Sequence, residues 1–131
     1  MKYLLDTSVW LWTLAASERI GPQGREVLDR PGGEFYLSAA SSWEIGIKSA
    51  LGKLELPGPA VSYVPERMAA QGIRQLPITH THALAVSELP PFHRDPFDRL
   101  LIAQAQIEGM AVLTADQAFR PYPVELVWCG G

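Results

Sequence analysis

Short apolar runs alternate with longer segments of helical periodicity along the whole chain. The apolar runs predict β-strands at residues 2–5, 35–38, 73–78, 111–114 and 124–128. The helical patterns predict helices at residues 9–16, 25–30, 39–51, 61–71, 82–89 and 96–108. Strands that alternate with helices are typical of an α/β fold, in which helices cover both faces of a parallel sheet. Because no repeat or interdomain linker interrupts the pattern, we predict one domain over residues 1–131.

Four acidic residues occupy positions where such a fold collects its functional groups. Asp6 and Asp116 follow predicted strands, and Glu44 lies in the first turns of the helix after the second strand. Asp98 stands near the start of the helix at 96–108. Right-handed crossovers bring the carboxyl ends of parallel strands to one edge, where these folds bind ligands. Four carboxylates at that edge would repel one another without a cation, so the pattern indicates a divalent-metal nuclease.

Two of these acids have an alternative interpretation as helix caps. Asp6 is a candidate N-cap for the first helix, although Thr7 and Ser8 are equally suitable caps. Glu44 fits an S-x-x-E capping box that begins at Ser41. For Asp6 we favour the metal role because the residue follows a strand directly, whereas for Glu44 the sequence leaves both interpretations open.

The segment Asp95–Asp98 contains a structural and a functional carboxylate side by side. Pro96 suits the first helical position, which makes Asp95 the natural N-cap. Asp98 then lies at the third helical position, where we assign it the ligand role. Asp116 lies in a short turn, where aspartate is common, so only its combination with the other acids favours a metal role.

The residue types of the candidate ligands also limit which metal ion the site would bind. Carboxylate oxygens suit Mg²⁺ or Mn²⁺, whereas a lone Cys129 and the absence of clustered histidines argue against zinc. His80 and His82 are expected at the surface or in a helix cap. His93 is expected to be structural, with contact to a substrate as the alternative. The net charge of −3 includes the four candidate ligands, so it neither excludes nor supports a nucleic-acid substrate.

Four segments resemble the PIN-domain family, and within it the VapC-type toxins of bacterial toxin–antitoxin pairs. They are LLDTS at 4–8, SWEI at 42–45, HRDPFDRLLIAQA at 93–105 and LTAD at 113–116. The resemblance covers essentially the whole chain. It implies a three-layer α/β/α sandwich with a parallel sheet of about five strands. It also implies a Mg²⁺- or Mn²⁺-dependent ribonuclease that cuts structured RNA such as tRNA or rRNA.

The resemblance also implies a set of site residues. The family's catalytic, metal-ligating acids correspond, residue by residue, to Asp6, Glu44, Asp98 and Asp116. A supporting hydroxyl corresponds to Thr7 or Ser8, and another to Thr114. Asp95 supports the site through its predicted role as the cap of the helix at 96–108. In the implied mechanism, a metal-activated water attacks the scissile phosphate, and no side chain acts as nucleophile. Three cationic residues near the ligands are candidate substrate contacts, although such residues commonly serve solvation or weak ion pairs: Lys48, Arg94 and Arg99.

Partners and location follow from the same resemblance and from the absence of a long apolar segment. Such toxins are usually homodimers that a cognate antitoxin holds inactive. The apolar start of the chain is interrupted at Asp6 and becomes polar by Ser17, so it lacks the roughly 18 apolar residues of a membrane span. We therefore expect a cytoplasmic protein that does not contact the membrane. Trp10, Trp12 and Trp43 are expected mostly in the core, with an antitoxin groove or a dimer interface as the alternative.

Three other functions remain open at this stage. A catalytically inactive PIN module would keep the fold and only bind RNA or a protein partner. A phosphatase of the haloacid-dehalogenase type would need a second aspartate two residues after the first, where this chain has Ser8. A flavodoxin-like or receiver domain is the third alternative, although the chain lacks the paired early acids and the late lysine of receivers.

Overall fold

Strands and helices alternate as the sequence predicts, in a computed structural model that describes residues 1–131. The strands are β1 (Lys2–Leu5), β2 (Glu34–Ser38), β3 (Arg74–Leu76), β4 (Ala111–Thr114) and β5 (Leu126–Trp128). The helices are α1 (Thr7–Ala15), α2 (Pro22–Asp29), α3 (Ala39–Ala50), α4 (Ala60–Gln71), α5 (His80–Ala85) and α6 (Pro96–Glu108). Short 3₁₀ helices lie at Ser17–Arg19, Val86–Glu88 and Gln117–Phe119. None of the helices combines the length and the apolar character that crossing a bilayer requires.

The five strands form one parallel sheet with the order β3-β2-β1-β4-β5. From β1 the chain first winds outward to β3, and after α6 it continues on the opposite side of β1 toward β5. The direction of winding therefore reverses between β1 and β4, which is where open α/β sheets bind ligands. The backbone N–H of Asp6 donates to the carbonyl oxygen of Leu113 at 3.0 Å across this boundary. The residue that follows β1 is thus fixed against β4.

Each face of the sheet has its own hydrophobic core. Along β1, Tyr3 and Leu5 point to one face and Leu4 to the other, as the two-residue period of a strand requires. Helices α1 to α4 complete the first core, in which Trp10 is fully buried. Helix α6 contributes most of the helical part of the second core, through Leu101, Ile102 and Ala105. The predicted three-layer α/β/α sandwich with five parallel strands is confirmed.

Some element boundaries differ from the predicted ones because prolines and caps decide them. β3 ends at Leu76 rather than residue 78, since Pro77 has no N–H to continue the strand ladder. α2 begins at Pro22 rather than residue 25, because proline suits the first position of a helix. α5 begins at His80 rather than residue 82, since Thr79 caps it.

The cap of α5 uses a histidine where a capping box usually has Glu or Gln. Thr79 Oγ1 accepts the N–H of His82 at 3.2 Å, and His82 Nδ1 accepts the N–H of Thr79 at 3.1 Å. His82 Nε2 lies 2.7 Å from Glu108 Oε2, so the cap also joins α5 to α6. The predicted capping role of His82 is confirmed, but its ring is buried rather than at the surface. His80 is exposed.

The packing of α6 against the sheet generates a test with a matched control. Leu101 is 1% exposed in α6, whereas Leu84 in α5 is 70% exposed. We expect Leu101→Ala to lower the free energy of unfolding by about 2–5 kcal/mol, since it loses buried apolar contacts and leaves a cavity. Leu84→Ala should change it by less than about 0.5 kcal/mol. Urea unfolding followed by circular dichroism measures both, and equal effects of the two variants would contradict the packing described.

Candidate metal centre

The four candidate ligands line one concave pocket of about 420 Å³ at the carboxyl edge of the sheet. Asp6 follows β1 and Asp116 lies two residues after β4, so these two stand on either side of the reversal in winding. Glu44 reaches the pocket from α3 and Asp98 from the first turn of α6. The tertiary structure therefore brings together all four acids that the sequence singles out.

Asp6 occupies the N-cap position of α1, but its side chain makes no capping hydrogen bond. Its Oδ2 instead accepts a hydrogen bond of 2.8 Å from Thr114 Oγ1 at the end of β4. The same hydroxyl oxygen accepts the backbone N–H of Asp116 at 3.0 Å. Thr114 thus connects two of the acids, and the interpretation of Asp6 as a side-chain cap does not hold in this structure.

Glu44 is not part of a capping box. Helix α3 begins after Ser38, whose Oγ accepts the N–H of Ala40 at 3.0 Å, so Glu44 lies in the second turn. Its Oε2 accepts a hydrogen bond of 2.8 Å from Lys48 Nζ. Its Oε1 is buried and has no hydrogen-bond partner. Because an unpartnered buried carboxylate oxygen is costly, this atom fits the role of a ligand for a cation.

The two carboxylates at the start of α6 have different tasks. Asp95 Oδ1 accepts the N–H groups of Phe97 at 2.8 Å and of Asp98 at 3.2 Å, which is the predicted N-cap. The side chain of Asp98 is therefore not needed for capping and faces the pocket. Asp98 Oδ2 lies 2.9 Å from Nε2 of His93.

Asp116 combines a structural contact with its place in the pocket. Its Oδ1 accepts the N–H of Ala118 at 2.9 Å and caps the 3₁₀ helix Gln117–Phe119. Its Oδ2 lies 3.5 Å from His93 Nε2. The turn interpretation and the ligand interpretation of Asp116 are therefore compatible, since the two oxygens serve different partners.

His93 and Trp12 belong to the site, although the sequence did not assign them to it. His93, Asp98 and Asp116 offer potential ligand atoms that all lie within 4.8 Å of one another. The half-buried indole of Trp12 lines the pocket beside Ser8, and the guanidinium of Arg19 lies 5.4 Å from its ring centroid. The spacing of Ser8 and Trp12, four residues apart, predicts that both lie on one face of α1. Only the tertiary structure shows that this face lines the pocket.

Burial and mutual repulsion raise the pKa values of two of the acids. Burial is the main cause that raises the pKa of Asp6 to about 6, against the hydrogen bond from Thr114 that lowers it. Burial also raises the pKa of Asp98 to about 8, and the negative charges of Asp6, Asp95, Glu44 and Asp116 add to the effect. These carboxyl groups hold protons at a pH where exposed aspartates are ionised. A bound positive charge would favour their ionised forms.

The supporting and cationic residues differ in how close they come to the pocket. Thr7, Ser8 and Lys48 line it, and the hydrogen bond with Glu44 raises the pKa of the Lys48 ammonium. The hydroxyl of Thr7 is buried and donates to Ser41 Oγ at 2.8 Å. Arg94 is exposed and does not line the pocket.

The guanidinium of Arg99 is engaged in hydrogen bonds within the chain. Its guanidinium donates to the carbonyl oxygens of Val86 at 3.0 Å and Pro90 at 2.9 Å. Longer hydrogen bonds reach the carbonyl of Leu89 and the hydroxyl of Tyr122, both at 3.3 Å. Its donors therefore hold the segment before α6, and its contact with substrate stays a prediction without support from this geometry.

The donor set fits a hard divalent cation. All four candidate ligands are carboxylates, which suit Mg²⁺ or Mn²⁺. One buried oxygen of Glu44 has no partner, and the pKa values of Asp6 and Asp98 are raised. A bound dication would replace the missing partner and remove the repulsion.

A family model described as the PIN domain matches residues 3–124. Ribonuclease VapC22 of Mycobacterium tuberculosis is 29% identical over 130 residues, which cover 95% of this chain and 97% of the relative. Ribonuclease VapC16 of the same organism is 52% identical over 48 residues, which cover 37% of this chain and only 34% of the relative. The structure of VapBC2 from Rickettsia felis bound to a promoter DNA fragment has a TM-score of 0.70 at 13% identity, over 96% of this chain and 97% of that one. At this identity the likeness concerns the fold.

We expect the metal-free protein to lose stability as the pH rises from about 4 to about 8. In the folded chain the pKa values of Asp6 and Asp98, about 6 and about 8, lie above the ordinary value of 3.8. A group with a raised pKa stabilises the fold in its protonated form, so this contribution is complete below about pH 4 and is lost as the groups ionise. Thermal unfolding with a chelator across this range provides the measurement. A midpoint that climbs between pH 6 and pH 8 would contradict the expected sign.

Asp98→Asn should stabilise the metal-free protein at pH 8 and abolish the stabilisation by Mn²⁺. The neutral amide removes one charge from a buried group that four neighbouring acids repel. Near pH 5 the difference from wild type should vanish, because Asp98 is then protonated in the wild-type protein. Asp29→Asn is the control, since Asp29 is an exposed aspartate of α2 outside the pocket. Thermal unfolding of the three proteins with and without Mn²⁺ tests the expectation, and an Asp98→Asn variant that still responds to Mn²⁺ would remove Asp98 from the ligand set.

Proposed function

Because the chain belongs to the PIN domain family, we propose that it is a VapC-type toxin, a Mg²⁺- or Mn²⁺-dependent endoribonuclease that a cognate antitoxin neutralises. The observation that carries the proposal is the pocket of four carboxylates at the reversal in winding, with one buried Glu44 oxygen that lacks a partner. The two relatives named ribonuclease VapC support the reaction class. The proposed substrate is a structured RNA such as tRNA or rRNA.

In this proposal four side chains hold the cation: Asp6, Glu44, Asp98 and Asp116. When bound, the cation would activate water for attack on a phosphodiester and stabilise charge on the leaving oxygen. The chain contributes positions that are fixed in advance. Thr114 orients the carboxylate of Asp6 through its 2.8 Å hydrogen bond. Asp95 caps α6 and thereby leaves the carboxylate of Asp98 directed at the pocket.

Two residues at the edge of the pocket are suited to an approaching RNA strand. Lys48 pairs with Glu44 while about half of its side chain remains exposed, so its ammonium can also meet a phosphate. The half-buried ring of Trp12 presents an aromatic surface beside Ser8, and bases stack on such surfaces without a strong sequence preference. No side chain is required as nucleophile.

The proposed protein partners are a cognate antitoxin and a second copy of the chain. VapBC2 of Rickettsia felis, which shares the fold, has been seen bound to promoter DNA. Trp43 and Ile47 on α3, together with Leu51 at its C-cap, form an exposed apolar stripe at four-residue spacing. Exposed stripes of this kind support a protein interface. The cytoplasmic location expected from the sequence remains part of the proposal.

The second candidate is a PIN module that binds RNA or a partner without cleaving. The intact set of four acids weighs against it, since a binding module has no need for carboxylates that raise one another's pKa values. The haloacid-dehalogenase alternative is disfavoured by the family match and by Ser8 at the position of its second aspartate.

The deciding experiment is cleavage of total RNA, and of isolated tRNA and rRNA, by purified protein free of any partner. We expect discrete fragments with Mg²⁺ or Mn²⁺, none with EDTA and none with Asp98→Asn, because the substitution removes one ligand. Asp29→Asn should cleave like wild type. Folded protein that binds Mn²⁺ but leaves every RNA intact would favour the binding module instead.

A further inference from the structure

We propose that His93 is a positioning residue of the metal centre, whose Nε2–H fixes the carboxylates of Asp98 and Asp116 without itself binding the cation. The inference rests on the metal site of the proposed function, although its tests do not depend on RNA cleavage. His93 lies in the segment between the second 3₁₀ helix and α6, five residues before Asp98. Its side chain is 14% exposed.

The ring of His93 is held from several sides. The backbone N–H of His93 donates to the hydroxyl of Tyr122 at 2.8 Å, and its carbonyl accepts from Arg99 at 3.4 Å. The ring packs against Phe119 in a T-shaped arrangement, with 6.0 Å between centroids. These contacts leave the imidazole little freedom to turn away from the acids.

The contacts of the two ring nitrogens determine which of them carries the proton. Nδ1 accepts the backbone N–H of Asp95 at 3.3 Å, so its lone pair is in use and it cannot bear a hydrogen. A neutral imidazole has one N–H, which must then be on Nε2. A protonated Nε2 has no lone pair for a metal, and therefore the ring acts as a hydrogen-bond donor rather than as a ligand.

The Nε2–H is placed between two carboxylates that would otherwise repel each other. It lies 2.9 Å from Asp98 Oδ2 and 3.5 Å from Asp116 Oδ2. Asp98 Oδ1 accepts no hydrogen bond from the chain and stays available to a cation. A side chain that donates a hydrogen bond to a metal ligand and thereby orients it typically contributes about 10- to 100-fold to the metal affinity. The same order of effect is expected here.

The first test is the tautomer of His93 in the metal-free protein. Long-range ¹H–¹⁵N correlation spectra distinguish the two imidazole nitrogens, and the signals of His93 are assigned by their loss in His93→Gln. We expect a hydrogen on Nε2 and none on Nδ1. A hydrogen on Nδ1 would overturn the inference, since Nε2 would then be free to bind the metal directly.

The second test compares Mn²⁺ affinities by calorimetry for a pair of substitutions. The amide nitrogen of His93→Gln reaches the position of Nε2, whereas that of His93→Asn reaches only the position of Nδ1. We expect His93→Gln to stay within about threefold of wild type and His93→Asn to weaken binding by about tenfold or more. His80→Gln is the control, because His80 is exposed on α5 and outside the pocket.

The outcomes separate this inference from the proposed function. Wild-type protein that binds Mn²⁺ but cleaves no RNA would count against the ribonuclease, while the two His93 variants would still decide the role of His93. Equal affinities for wild type and His93→Asn would overturn the positioning role, as would equal losses in both variants. Wild-type protein that binds no Mn²⁺ would overturn both proposals. Unfolding midpoints of the metal-free variants verify that each one is folded.

Discussion

The concentration of negative charge at the carboxyl edge of the sheet is the constraint to which the rest of the site is adapted. Parallel strands that reverse their winding between β1 and β4 leave a crevice, and four carboxylates line it. Burial and mutual repulsion raise the pKa values of Asp6 and Asp98 to about 6 and about 8. Such an arrangement stores unfavourable electrostatic energy in the fold without a cation, and a bound divalent cation would release it. Part of the proposed affinity for a cation would therefore come from this repulsion, which the packing of the two apolar cores maintains.

The neighbouring side chains moderate this cost without neutralising it. Lys48 pairs with one oxygen of Glu44, Thr114 donates to Asp6, and the Asp98 carboxylate faces Nε2 of His93. Each contact uses one oxygen and leaves another for a ligand, most clearly at the unpartnered Glu44 Oε1. Asp95 takes over the capping of α6, which would otherwise compete for Asp98. Partly satisfied carboxylates are expected of a cation-binding site rather than of a structural network of ion pairs, which agrees with the proposed metal role.

Local sequence rules predicted the elements well, but they also offered two helix caps that the structure does not have. The S-x-x-E pattern at Ser41 suggested a cap, but Ser38 at the end of β2 caps α3, because the helix starts directly where the strand stops. The position of Asp6 suggested a cap as well, yet its side chain turns to Thr114. At Asp6 a contact across the sheet outweighed a motif that reads only neighbours along the chain. At Ser41 one local cap replaced another, since Ser38 accepts its hydrogen bond from Ala40 two residues away.

The sequence by itself determined the α/β order of the elements and the four acidic positions, because strand ends, proline and glycine act over a few residues. It also carried the segments that resemble the PIN family, since those residues are contiguous. Only the tertiary structure decided which oxygens are free, that His93 and Trp12 belong to the site, and that the donors of Arg99 are engaged within the chain. The first of these outcomes depends on pairs that are distant in sequence, such as Asp6 and Thr114, which lie 108 residues apart. No local pattern encodes such a contact, because it exists only after the sheet has brought the two strands together.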